Sequence, residues 1–282
     1  MGYKSIEVRK LAGALGAEIF GADLRADIDN ETMDDIHQAF LDHQVIVLRG
    51  QTGLSPERQK AFARHFGSFN IHPYVKPMEG HPEILEIIKE PEDKLNFGGG
   101  WHSDMSFLEE PALGSVLHAV DVPDWGGDTL FASQTAAYEA LSDGMKAMLA
   151  PLKGVHSAAR EYGAKGLSAQ DRKSMQSERA EGEVPEYEHP VVRTHSETGR
   201  KGLYVNPAFT MRIAGMTKRE SQPLLNFLFE HSREERFTCR LRWNAGDVAF
   251  WDNRCVWHYA LNDYPGQRRH MRRVTINGDK PH

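Results

Sequence analysis

Three glycines, Gly98, Gly99 and Gly100, run into Trp101-His102-Ser103-Asp104, and this imidazole and carboxylate two residues apart constrain the chain more than any other feature. In an extended strand, residues i and i+2 face the same side, so His102 and Asp104 could reach one metal ion from a single rigid element. A third ligand is then required, and the best candidate is His258, which ends a second strand-like run, Trp251 to His258. Any fold the chain adopts must therefore bring together two segments far apart in sequence. Two imidazoles and a carboxylate with the opposite face open are the ligand set of non-haem Fe(II) centres. The pair alone is weak: among 14 histidines and 40 acidic residues some His-x-Asp spacings arise by chance, and most are hydrogen-bonded surface pairs.

Composition narrows the partners. The 282 residues suffice for one large domain, and nothing in them marks a second, so residues 1–282 are read as a single domain. A net charge of −6 argues against nucleic acid, because phosphate binding wants a basic face. The arginines between Arg268 and Arg273 then need a local explanation. Two cysteines, Cys239 and Cys255, form no disulfide framework and read as small buried hydrophobes in a reducing compartment. The opening Met1 to Ile6 has no apolar core of signal-peptide length, and no later run approaches a membrane span. The expectation is a cytoplasmic protein without membrane contact.

Helical signals cluster in the first half. Asn30 is placed to cap a helix over about 31–42 with Met33, Ile36 and Phe40 on one face, and Ser55-Pro56 opens another that ends near Gly67. Val45 to Leu48 reads as a fully buried strand, and strands are also expected from Ile84, over 113–120 and over 129–132. The turn Gly126-Gly127-Asp128 joins the last two. The spacing over 134–149 predicts one helix with Met145 and Met148 in the core. Residues 163–188 are polar, as in a solvated loop or a mobile lid. Thr217 and Glu220 form a capping box before a helix near 218–231, whose first turns Pro223 should disturb. Phe237, Cys239, Leu241 and Trp243 alternate with polar residues as a half-buried strand, and 248–251 and 273–276 supply two more. The fold class is mainly β with flanking helices, a sandwich or barrel.

The His102-x-Asp104 motif, the distant His258, the Gly126-Gly127-Asp128-Thr129 turn and the Arg268 to Thr275 strand together resemble the taurine dioxygenase and 2,4-dichlorophenoxyacetate dioxygenase (TauD/TfdA) family of Fe(II)- and 2-oxoglutarate-dependent dioxygenases. The likeness covers nearly the whole chain. It implies a double-stranded β-helix, the cupin-like jelly roll, with His102, Asp104 and His258 as iron ligands. It further implies that Arg269 and Thr129 hold the far carboxylate of 2-oxoglutarate, a task suited to an arginine fork. On a strand Arg269 and Arg273 face the same side. Arg273 would then grip the anionic head of the prime substrate, with His72, Met105, Phe107, Tyr162 and Phe209 around it.

The implied reaction uses O2 to hydroxylate a small organic anion, a sulfonate, sulfate ester or aryloxyalkanoate, next to its heteroatom, giving succinate and CO2. Taurine itself fits poorly, because taurine dioxygenases carry asparagine, tyrosine and phenylalanine where Gly98, Val75 and Tyr162 stand here. Losing polar partners for an amine relaxes that choice. Family likeness also suggests a homo-oligomer, dimer or tetramer. Two rivals are a metal-dependent hydrolase or isomerase on the same barrel, which needs no keto-acid clamp, and a non-catalytic binding protein, which has no use for the full residue set.

Overall fold

The computed structural model describes residues 2–164, 174–175, 177–178, 180 and 182–282. Strands β1 (Glu7–Lys10) and β2 (Ala17–Phe20) open the chain as an antiparallel pair. Helix α1 (Asn30–His43) is capped by Asp29 and not, as expected, by Asn30. The Asp29 carboxylate accepts from both the Thr32 backbone N–H, at 2.9 Å, and the Thr32 hydroxyl, at 3.1 Å, so it satisfies two donors where the cap needs one. Met33, Ile36 and Phe40 are buried as the helical spacing predicts. Gln44, at φ 64°, ends α1 and turns the chain into β3 (Val45–Leu48), buried at every position.

Helix α2 (Pro56–Arg64) starts at the Ser55 cap, whose hydroxyl accepts from Arg58 N–H at 3.2 Å. Then follow β4 (Phe69–Asn70), β5 (Ile84–Lys89), β6 (Ala112–Asp121) and β7 (Thr129–Ser133). Gly126 in the turn before β7 has φ +73°, and a Cβ there would sit 2.9 Å from the Asp263 carbonyl oxygen, so only glycine fits. That turn does not make a hairpin, because β6 and β7 belong to different sheets. The expected single helix over 134–149 is two, α3 (Gln134–Glu139) and α4 (Asp143–Leu149). Ser142 starts the second by accepting from Met145 N–H at 3.3 Å, which resets the helical phase and leaves Met148 46 % exposed instead of in the core.

The remainder runs β8 (Lys153–Ser157), α5 (Ala159–Tyr162), β9 (Glu186–Pro190), β10 (Val192–Thr194), β11 (Lys201–Leu203), β12 (Thr210–Ile213), α6 (Lys218–Ser232), β13 (Thr238–Leu241), β14 (Val248–Asp252), β15 (Val256–Ala260) and β16 (Arg269–Asn277). Of the polar 163–188 segment, the end belongs to β9, while 165–173, 176, 179 and 181, the heart of the expected lid, lie outside the described residues. The Thr217–Glu220 capping box forms, and α6 continues through Pro223.

The large sheet has the order β1-β2-β3-β14-β6-β16, with β4 and β5 both pairing with β16, and a second sheet has the order β13-β7-β15. Every pairing in these two sheets is antiparallel except β2 with β3. Between the sheets pack Val45, Val47, Leu117, Ala249, Trp251 and Met271 from one side and Phe131, Cys239, Leu241 and Val256 from the other. The outer face of the large sheet, with Ile46, Leu48, Val116, Phe250 and Val274, is covered by Ile36 and Phe40 of α1 and Phe62 of α2. Phe40 stacks on Phe250 at 3.9 Å between ring centroids. Strand alternation thus gives the large sheet two apolar faces, one for helices and one for the interior of a jelly roll. Both cysteines are buried and free, and burial pushes the Cys239 thiol up to about 12.

Candidate active site

The two histidines meet through their backbones. His102 N–H donates to His258 C=O at 3.1 Å, and His258 N–H donates to His102 C=O at 2.8 Å, an isolated antiparallel bridge at the mouth of the barrel. Asp104 does not continue a strand, contrary to the expectation for the pair. Met105 adopts φ +59°, a left-handed conformation costing a non-glycine residue roughly 1–2 kcal/mol, and the chain reverses immediately after the carboxylate. The carboxylate nevertheless faces the histidines. Its Oδ1 lies 3.6 Å from His102 Nε2 and 3.7 Å from His258 Nε2.

His102 Nδ1 is 2.7 Å from the Gly100 carbonyl oxygen. A carbonyl only accepts, so Nδ1 carries the proton and the Nε2 lone pair faces Asp104 and His258. Burial, then the neighbouring His102, hold His258 well below the ordinary imidazole value, which favours its neutral form. Burial pushes the Asp104 carboxyl up, but Arg273 and the two histidines together outweigh it and hold it well below the usual carboxylate range. Two imidazoles and one carboxylate, all three donor atoms within 4.8 Å of one another, suit a divalent ion with open positions.

A cavity of about 650 Å³ opens beside this cluster. All six residues expected around the substrate, His72, Met105, Phe107, Tyr162, Phe209 and Arg273, line it. Trp101 and Tyr259 line it too, with ring centroids 5.7 Å apart. His72 Nδ1 accepts from Tyr74 N–H at 3.1 Å, which places its proton on Nε2, and burial pushes the ring down to about 3. His72 is therefore a fixed neutral donor.

A second, smaller cavity is lined by Thr129 and Arg269 together with Ile87, Leu117, Trp251, His102 and His258. Arg269 and Arg273, four apart on β16, both line it as strand geometry requires. Arg269 is 4 % exposed, and its Nε and Nη2 find no hydrogen-bond partner among the described residues. Leaving a buried charged donor unpaired is costly, so the site is built for an acceptor. Thr129 Oγ1 accepts from Trp243 Nε1–H at 2.9 Å, which leaves its own proton to donate. A fork of guanidinium N–H groups with a hydroxyl beside it fits a planar carboxylate.

The profile of the "Taurine catabolism dioxygenase TauD, TfdA family" matches residues 7–275. This chain belongs to that family. Among its relatives, the alpha-ketoglutarate-dependent sulfate ester dioxygenase of Pseudomonas putida is 37 % identical over 277 residues, 98 % of this chain and 91 % of the relative. A taurine dioxygenase structure from Burkholderia xenovorans superposes with a TM-score of 0.81 at 36 % identity, covering 99 % of this chain and 91 % of the other. The structure of AAD-2 in complex with Mn(II) and N-oxalylglycine superposes with a TM-score of 0.78 at 30 % identity, covering 99 % of both chains.

Sequence reasoning missed the partners of these residues. Trp243 reads as an ordinary core residue of a half-buried strand, and nothing in the local sequence sets Ser115 or Asn253 apart as a partner of Asp104. The available signal was a serine in the apolar run of β6 and an asparagine straight after β14, both fully buried.

The dioxygenase also buries His156, pushed down to about 3, chiefly by burial. With His72 it gives a stability prediction. In the unfolded chain each ring takes a proton near pH 6.5, whereas in the fold each stays neutral down to about 3. As pH falls through that window the unfolded state binds protons the native state refuses, so stability drops; above about 6.5 the loss is absent. Between pH 6.5 and 5 it amounts to roughly 1–2 kcal/mol per histidine. The urea midpoint should fall over this interval, and a flat midpoint would contradict neutral burial of both rings.

Proposed function

We propose that this dioxygenase uses Fe(II), 2-oxoglutarate and O2 to hydroxylate a small organic anion bearing an apolar body, at the carbon next to its heteroatom. His102, Asp104 and His258 would hold the iron. The chemistry supplied by bound Fe(II) is the coupling of O2 to oxidative decarboxylation of 2-oxoglutarate, giving succinate, CO2 and the hydroxylated substrate. Arg269 and Thr129 bind the far carboxylate of the keto acid. The observation that carries this reading is the pair of unpaired Arg269 N–H groups, buried in a cavity that the two histidines also line.

In the larger cavity Arg273 and His72 Nε2–H bind the anionic head. Phe107, Tyr162 and Phe209 shut water away from the tail and turn the carbon beside the heteroatom toward the three ligands. Gly98 stands where taurine dioxygenases have asparagine, and its φ of +74° puts a Cβ 3.3 Å from His102 Cε1, so a side chain there would crowd the ligand. The sulfate ester activity named for the Pseudomonas putida relative supports sulfate esters ahead of taurine. As a family member the protein is further read as a homo-oligomer, which light scattering would test.

The experiment is anaerobic addition of Fe(II) and 2-oxoglutarate, watching the visible charge-transfer absorption, for native protein and His102→Ala. A band in the native protein that the variant lacks supports the site; no band in the native protein sinks the reading. Succinate release should then be at least about tenfold faster with alkyl sulfates or aryloxyalkanoates than with taurine.

A further inference from the structure

The geometry points to Ser115 and Asn253 as positioning residues that force Asp104 to offer a metal one oxygen and not two. The inference rests on the metal-site reading above. Asp104 is 4 % exposed, and its two oxygens have different surroundings. Oδ1 faces His102 Nε2, His258 Nε2 and the Arg273 Nη1 donor at 2.9 Å. Oδ2 accepts from Ser115 Oγ–H at 2.8 Å.

The Ser115 hydroxyl is itself held. Asn253 Nδ2 donates to Ser115 Oγ at 3.3 Å, so the serine proton is committed to Asp104. Asn253 Oδ1 in turn accepts from Trp251 Nε1 at 2.9 Å and from the Asp104 backbone N–H at 3.2 Å. Asn253 N–H is tied to the Leu113 carbonyl at 2.9 Å. Ser115 lies opposite Trp251 on β14 and opposite Thr275 on β16, in the middle of the large sheet. It lines neither cavity, so substrate and keto acid cannot touch it.

The chain Trp251, Asn253, Ser115, Asp104 thus fixes both the backbone and the far oxygen of the only anionic ligand. A free carboxylate can chelate a metal with both oxygens and so take a position that keto acid, substrate or O2 needs. With Oδ2 tied to Ser115, Asp104 takes one position only. Partners of this kind change metal affinity or activity by roughly 10- to 100-fold when removed.

The test uses Mn(II) and N-oxalylglycine, the pair bound in the AAD-2 structure, with native protein, Ser115→Ala, Ser115→Thr and Asn253→Ala. For Ser115→Ala the expected result is an N-oxalylglycine dissociation constant at saturating Mn(II) raised about 10- to 100-fold, with a Mn(II) dissociation constant that is unchanged or lower, because the freed Oδ2 can add a second bond to the metal. Ser115→Thr keeps the hydroxyl and should restore binding to within about threefold of native. A merely structural serine would lower the thermal midpoint of the metal-free protein and leave the N-oxalylglycine constant alone, which overturns the inference. If Ser115→Ala does not fold, Asn253→Ala answers the same question in the same titration, and a native-like N-oxalylglycine constant there also overturns it. Failure of the native protein to bind Mn(II) is separate, because it defeats the metal-site reading itself.

Discussion

Asp104→Ala should cost the protein its metal. Asp104 is the only carboxylate in the His102, Asp104, His258 cluster, and the two imidazoles left behind would face the Arg273 guanidinium with nothing between them to attract a cation. Removing one member of a buried charged set costs roughly 2–5 kcal/mol, which is about 30-fold to several thousand-fold in a dissociation constant. Mn(II) titration should show that loss, and succinate release should fall to background. The variant has a second expected effect. Arg273 is buried and donates to Asp104 Oδ1 at 2.9 Å, so the truncation leaves its guanidinium without that carboxylate and lowers the thermal midpoint of the metal-free protein. Retention of both metal affinity and turnover would place the active site elsewhere.

Arg269→Ala should spare the metal and lose the keto acid. No described hydrogen bond ties Arg269 Nε or Nη2 to the fold, so truncation breaks none there. It removes instead the fork that a carboxylate would meet in the smaller cavity. The dissociation constant for N-oxalylglycine should rise by roughly 30-fold or more, the lower end expected for losing one side of a buried charged pair, while Mn(II) affinity in its absence stays within about threefold. Burial already holds Arg269 below the ordinary arginine value, so stability is expected to stay level or rise. An Arg269→Ala protein with full activity would favour a hydrolase or isomerase on the same barrel, which needs no such clamp.

The chemistry was legible where it depends on residue type and period. His102, Asp104 and His258 read as a candidate ligand set by residue type and the fold brings them together, and Arg269 and Arg273 face one side because strand alternation requires it. The jelly roll followed from family likeness, since spacing does not say that two distant segments meet. What stayed hidden has specific physical causes. Met105 in a left-handed conformation carries no sign, because glycine or asparagine normally mark such a position. Turn residues before Thr129 announce a reversal but not the pairing partner, so β6 and β7 looked like neighbours and lie in separate sheets. The second helix of 134–149 did have a sign, Ser142 followed by Asp143, and the hydrophobic period outweighed it. Ser115 looks like any strand serine until the carboxylate above it is placed.

The backbone bridge between His102 and His258 separates two kinds of evolutionary change. Distance between the two imidazole ligands is set by paired main-chain amides, which no side-chain replacement removes. Two of the walls that meet the tail of a substrate, Tyr162 and Phe209, stand on a one-turn helix and a loop that hold none of the three clustered residues. Replacing them reshapes what enters while the oxidising centre keeps its dimensions. A scaffold arranged this way lets the tail pocket change shape while the bridge that spaces the two histidines stays as it is.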